Sequence, residues 1–220
     1  MQFILHENAG DSQIILQDED YHHLFHSRRM RKSESLYLRN GKDLNLYHYT
    51  IIEINKRDAK LLLQETQTTP LKNPPKGHLI WAMIEPKNIE KTIPLLNELN
   101  LRKITFFYAQ YSQKQFKLDH KRLDKILKNS CEQCGRIIKL EIEVLPNLDE
   151  VLKSYPNLAI LNFGGESLTQ NLEIPLMVGC EGGFSPKERG ILQDKRIFSA
   201  PKCNILRSET AALYATTYLI

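Results

Sequence analysis

The chain has 220 residues, of which 41% are hydrophobic and 25% charged, with a net charge of +4 and a sequence pI near 8.8. These values exclude wholesale disorder and predict a packed core in one large domain or two modest ones. No stretch approaches the length of a membrane span, and the start, Met1-Gln2-Phe3-Ile4-Leu5, lacks a secretory pattern. The four cysteines suggest no disulfide framework, so a cytoplasmic, reducing setting is expected.

Residues 1–72 read as short β-rich segments at 2–5, 13–16, 35–38, 44–49, 51–54 and 60–64, with Asn40-Gly41 and Lys56-Arg57-Asp58 as turns. A small β-barrel fits this spacing. One helix is predicted over 18–30, opened by acidic residues and carrying Arg28-Arg29 near its end. It brings a basic cluster, Arg28, Arg29, Arg31 and Lys32, to one edge of the barrel. Asn73-Pro74-Pro75-Lys76-Gly77 can continue neither a helix nor a central strand. Residues 73–77 are therefore the expected linker between a domain of 1–72 and one of 78–220.

Beyond the linker, strand and helix patterns alternate: strand 79–84, helix 88–99, strand 104–108, helix 119–134, strand 142–145 and helix 148–154. Strands follow at 158–163, 176–178 and 196–200, with helices closing the chain. This alternation predicts a mostly parallel sheet covered on both faces. A second basic run, Lys114, Lys117, Lys121, Arg122, Lys125 and Lys128, reads either as a solvated helix face or as a surface for an acidic partner. Cys131-x-x-Cys134 closes a helix and has no second ligand pair nearby, so it reads as core or surface cysteines. His22 and His26 share a helical face, but no Glu follows His22, and no metal site is expected there.

The chemistry-bearing stretch begins at Val178. Gly179-Cys180-Glu181-Gly182-Gly183-Phe184-Ser185 follows a predicted strand, and Ser185-Pro186-Lys187-Glu188 is a helix start with a capping-box pattern. About twenty residues on, Asn204-Ile205-Leu206-Arg207-Ser208-Glu209-Thr210-Ala211-Ala212 follows another strand and enters an alanine-rich helix. Ligands gather outside the carboxyl ends of strands in α/β sheets, and glycines there expose backbone to them. A lone Gly-Gly pair would read as a turn; the two segments together read as a small-molecule pocket made of loops.

Gly-x-Glu-Gly-Gly-Phe-Ser, followed a strand later by Leu-Arg-Ser-Glu-Thr-Ala, resembles the paired signatures of the RsmE family, 16S ribosomal RNA uridine N3-methyltransferases of the SPOUT superfamily. The resemblance extends over the whole chain. His22 to Met30 resembles the family's first motif, with Arg29 on its last arginine. Glu98-Leu99-Asn100 and Cys131 to Arg136 match two internal segments, with Asn100 in place of a glycine. Cys180 stands where the family usually has Pro, Lys202-Cys203-Asn204 replaces a Gly-Pro-Arg-like lead, and Gln110-Tyr111-Ser112 replaces a Glu-Arg-Ser-like loop.

The resemblance implies a SPOUT-type α/β knot preceded by a PUA-like β-barrel. It further implies a homodimer, S-adenosylmethionine as cofactor, and 16S ribosomal RNA or the small ribosomal subunit as partner, with no metal and no membrane. It carries the cofactor contacts onto Gly179, Glu181, Gly182, Gly183, Leu206 and Arg207. Arg207 and Glu209 are the candidate catalytic residues, the first stabilising a developing uracil anion and the second accepting the N3 proton or orienting Arg207. A structural ion pair at a helix start, with Ser208 as cap, is the alternative for these two. Arg28, Arg29 and Arg31 are the candidate phosphate contacts. A SPOUT methyltransferase for another RNA, and an RNA-binding protein that keeps the fold without catalysis, remain alternative readings.

Overall fold

Alternating burial organises the N-terminal residues into a sheet. In β2 (Gln13–Gln17) Ile14 and Leu16 turn inward while their neighbours are exposed, the period-two pattern of a half-buried strand. The structure, a computed structural model, describes residues 3–27, 30–32, 34–200 and 204–220. The sheet has the order β1-β3-β4-β5-β2, with β1 (Ile4–Leu5), β3 (Ser35–Arg39), β4 (Asn45–Ile54) and β5 (Asp58–Thr68). Its pairings are antiparallel except β1 with β3. Register shifts in β4 fall between His48 and Tyr49 and between Ile51 and Glu53, so what the sequence divides into two strands is one strand with irregularities. Leu16, Leu24, Leu38, Tyr49, Ile51 and Leu61 are buried in its core.

The helix predicted over 18–30 is shorter and irregular. Regular helix α1 covers Asp18–Tyr21, and the chain then widens into a π-helical turn, His22–Ser27, which seats Leu24 in the core. Arg28 and Arg29 lie outside the described residues. Arg31 is exposed.

By its internal packing the chain divides into two units, 1–73 with 132–138, and 74–131 with 139–220. Along the chain the alternating pattern runs as β6 (Lys76–Ala82), α2 (Pro86–Glu98), β7 (Leu101–Phe107), α3 (His120–Cys134), β8 (Glu141–Leu145) and α4 (Leu148–Ser154). It continues through β9 (Ala159–Ser167), β10 (Leu176–Val178), α5 (Pro186–Ile191), β11 (Arg196–Ser199) and α6 (Ser208–Thr216). The six strands lie in the order β11-β9-β10-β6-β7-β8, every pair parallel. Strand β6 begins three residues before the predicted start, so the Pro-Pro segment leads directly into the sheet. Asn100 adopts a left-handed φ of 64° after α2, a conformation asparagine tolerates better than most residues.

The core is continuous across this sheet: Leu79, Ile80, Trp81, Ile104, Phe106, Ile160 and Met177 are buried. Each large apolar side chain removed from water contributes about 1.5–3 kcal/mol against the entropy of ordering the chain. Strand order reverses direction around β6, with β7 and β8 on one side and β10, β9 and β11 on the other. That arrangement opens a crevice at the carboxyl ends of the central strands. After β11, at the outer edge, the chain returns to the centre, where α6 packs on α2, β6 and β10. The return is the tucked C-terminal path expected of an α/β knot. No described helix is long and apolar enough to cross a membrane.

Candidate functional site

A cavity of about 590 Å³ lies at the carboxyl ends of β9, β10 and β11. Three loops wall it. The first is a bulge within β9, Leu161 to Gly164; the second is Gly179 to Phe184 after β10; the third is Asn204 to Ser208, leading into α6. Among the residues singled out from the sequence, Gly179, Glu181, Gly182, Gly183, Leu206 and Arg207 all line it. Glu209 does not; it lies in the first turn of α6. Among the described residues, Arg207 and Glu209 form no ion pair with each other.

Local sequence explains the shape of the second loop. Gly183 takes a left-handed φ of 66° and its amide donates to the Cys180 carbonyl at 2.9 Å, closing a tight turn. A side chain on Gly179 would crowd the Gly183 backbone at 3.2 Å. Cys180 is buried, its thiol 3.6 Å from the Gly183 carbonyl, and burial pushes that thiol above its ordinary pKa. The loop stops at α5. Ser185 Oγ accepts from Glu188 N at 3.2 Å, and the Glu188 carboxylate accepts from Ser185 N at 2.9 Å, the reciprocal cap read from Ser-Pro-Lys-Glu. The second Glu188 oxygen accepts from Gln110 N at 2.8 Å, fastening the loop after β7 to the same point.

The third loop is tied by Ser208, and here the structure departs from the expected cap. Arg207 occupies the N-cap position with no side-chain capping bond, and Ser208 is the first helical residue. Its buried Oγ accepts from Trp81 Nε1 at 2.8 Å and donates to the Gly179 carbonyl at 2.6 Å. One hydroxyl thus joins β6, the glycine loop and the start of α6. Nothing local in the sequence signals this, since Trp81 and Ser208 are 127 residues apart.

The first wall is likewise set by a distant partner. Strand β11 pairs Ile197 with Ile160 and then Phe198 with Glu166, so residues 161–165 of β9 are looped out within one step of the partner. Gly164 has φ 76°, and a methyl on Gly165 would fall on the Ile197 carbonyl. The bulge holds Asn162 and Phe163 on the cavity, Phe163 with 73% of its surface exposed. Two consecutive glycines after an apolar run were the available signal.

Apolar walls from Leu161, Phe163, Val178, Leu206 and Ala211, with a few polar groups such as Asn162 and Arg207 and glycine backbone between them, suit a small organic ligand of this volume. Among the described residues no group of three or more His, Cys, Asp or Glu side chains could hold a metal ion. Cys131 is buried and hydrogen-bonded to Asn97, whereas Cys134 is exposed.

Comparison with known proteins agrees with this architecture. Residues 70–220 match the model of an RNA methyltransferase domain, and residues 16–64 that of an RNA methyltransferase PUA domain. A Helicobacter pylori protein named ribosomal RNA small subunit methyltransferase E is 40% identical over 99% of this chain and 98% of its own length. An Aquifex aeolicus protein of the same name is 27% identical over 99% and 98%. A Neisseria gonorrhoeae ribosomal RNA small subunit methyltransferase E, solved bound to S-adenosyl methionine, superposes with TM-score 0.79 at 21% identity, covering 99% of this chain and 95% of that one. At that identity the superposition speaks for the fold: a SPOUT-type α/β domain preceded by a PUA-like β-domain, as the motifs implied. The chain belongs to the ribosomal RNA small subunit methyltransferase E family of RNA methyltransferases.

Proposed function

We propose that this chain transfers a methyl group from S-adenosylmethionine to N3 of a uridine in 16S ribosomal RNA of the small ribosomal subunit. The observation that carries the reading is the single cavity in which both C-terminal signature loops meet. The full-length relatives named for small-subunit ribosomal RNA methylation support it.

Gly179, Glu181, Gly182, Gly183, Leu206 and Arg207 are the residues that would hold the cofactor, mostly through backbone groups. The space beside Gly183 is open where any other residue would carry a side chain, which suits close approach of a ligand to the backbone. When bound, S-adenosylmethionine supplies an electrophilic methyl on a sulfonium that departs as a neutral thioether. The loops keep their ligand in one orientation because each is fastened by buried bonds, from Ser208 to Gly179 and from Glu188 to Ser185. Arg207, exposed and at the cavity wall, sets a positive charge beside the uracil carbonyl oxygens and stabilises the anion formed as N3 loses its proton. Glu209, two residues further on, takes that proton or orients Arg207.

Residues 1–72 act as the RNA-binding domain, joined by 73–77 to a methyltransferase domain of 78–220. Arg28, Arg29 and Arg31 bind phosphates without reading sequence. The active protein is a cytoplasmic homodimer. Labelled S-adenosylmethionine and small ribosomal subunits from cells lacking this protein test the reading. Label in N3-methyluridine supports it. Label in a different nucleoside replaces the substrate, and no label from folded protein leaves an RNA-binding protein without catalysis.

A further inference from the structure

The segment between β7 and α3 runs beside the cavity. It is anchored at alternate points. Gln110 N donates to Glu188; Ser112 Oγ donates to the Met83 carbonyl at 2.8 Å; and Tyr108 OH donates to the Phe116 carbonyl at 2.6 Å. Phe116 and Leu118 pack against the core. The residues between the anchors face solvent. Tyr111 keeps 51% of its surface exposed, and Lys114, Lys117 and Lys121 are exposed. Among the described residues none of these three lysines has an ion-pair partner. The one acidic residue of the segment, Asp119, accepts from Arg122 N at the start of α3.

Tyr111 is next to the cavity. A side chain on Gly182 would stand 3.2 Å from Tyr111 Cβ and Cδ2, so the tyrosine rests against the glycine loop, and Gly182 lines the cavity. Resting on the RNA-methyltransferase reading above, the geometry points to Gln110–Lys121 as a docking track for a single-stranded stretch of the RNA substrate. Tyr111 is the platform on which one base stacks, and Lys114, Lys117 and Lys121 meet the phosphates. An exposed aromatic ring among unpaired cations is the composition that binds single strands, whose unstacked bases offer a face to the ring. Apart from Tyr111 the outward side chains, Gln113, Lys114, Gln115 and Lys117, are polar or charged, which fits a phosphate backbone and not an apolar protein or lipid surface.

The test is binding of a fluorescent oligouridylate strand to the full chain at several salt concentrations, with S-adenosylmethionine binding measured in parallel by calorimetry. The double variant Lys114→Gln, Lys117→Gln is expected to lower the slope of log affinity against log salt by about 1.4, roughly 0.7 for each lost phosphate contact. Tyr111→Ala is expected to bind about tenfold more weakly with the slope unchanged, whereas Tyr111→Phe binds like the wild type. In all three, cofactor affinity stays at the wild-type value. An unchanged slope in the lysine variant, or parallel loss of strand and cofactor binding in Tyr111→Ala, overturns the track. Wild-type methyl transfer together with wild-type binding by every variant overturns it too and leaves the methyltransferase reading standing. A wild type that neither transfers methyl nor binds the strand overturns both.

Discussion

Replacing Ser208 with alanine removes one oxygen atom and unties three elements. The change leaves little void, so its effect isolates hydrogen bonding. Trp81 Nε1–H loses its acceptor and the buried Gly179 carbonyl loses its donor. Each polar group left unsatisfied in the interior costs about 1–3 kcal/mol, so with two such groups Ser208→Ala should lower stability by about 2–6 kcal/mol. Trp81→Phe removes the same donor from the other side, with an added cost for the smaller ring. In its background Ser208→Ala strands only the Gly179 carbonyl. The two changes should therefore be less than additive, with a coupling of about 1–2 kcal/mol. Equilibrium urea unfolding read by circular dichroism measures all four corners of the cycle; tryptophan fluorescence does not serve, because Trp81 is the single tryptophan of the chain. S-adenosylmethionine affinity should fall in Ser208→Ala as well, since Gly179 is no longer held. A loss under about 0.5 kcal/mol, or additivity within about 0.5 kcal/mol, refutes the tether.

Two further predictions concern the scaffold. His78, 6% exposed, hydrogen-bonds Thr105 Oγ1, which donates to Glu143, so Nε2 carries the proton on a neutral ring. Burial, then the nearby Lys103, lowers its pKa from 6.5 to about 4. Because the folded pKa lies below the unfolded one, the unfolded chain binds more protons between pH 6.5 and 4; this contribution is full above about 6.5 and is lost as pH falls towards 4. The loss amounts to roughly 2–3 kcal/mol, and His78→Gln, which keeps an N–H for Thr105, should flatten that limb of the stability–pH curve; an unaltered limb would assign it to other groups. At the β9 bulge, Gly165→Ala should cost at least about 2 kcal/mol by driving Ile197 away, whereas Gly190→Ala in α5, with open space around it, should raise stability by about 0.5–1 kcal/mol; equal thermal shifts would show that the bulge is not confined by β11.

Much of this fold is legible in the order of apolar runs. Strand and helix patterns after the Pro-Pro segment predict a parallel sheet, and the capping box at Ser185 is visible as four consecutive residues because its bonds are local. The features that escape are those set by distant partners. The π-helical turn at His22–Ser27 follows from seating Leu24 in the core, which helical period alone does not encode. Ser208 has the composition of a cap but faces a tryptophan from the first strand of the same unit, and that partner captures its hydroxyl. The bulge at 161–165 depends on which strand lies beside β9; a five-residue excursion there looks, in sequence, like strand followed by turn. In the site, the residue types and their two clusters are readable, whereas the meeting of three loops around one cavity is a property of strand order.

That division has a mechanical consequence. The groups that hold the loops, Ser208, Glu188, Ser185 and Cys180, are buried, and each is hydrogen-bonded: Ser208 to Gly179, Glu188 to Ser185, and the Cys180 carbonyl to Gly183 N. The groups offered to a ligand are different residues: Phe163 and Ile205 are 73% and 83% exposed, and Glu181 and Arg207 are exposed as well. Exposed groups can be exchanged with small effects on folding, while the buried ones cannot, because each leaves an unsatisfied partner. A chain built this way can vary what its loops touch without moving the loops. Gln110-Tyr111-Ser112 illustrates the point: Ser112 makes a buried bond to Met83 and Gln110 a backbone bond to Glu188, and the side chain between them, Tyr111, is the one that faces outward.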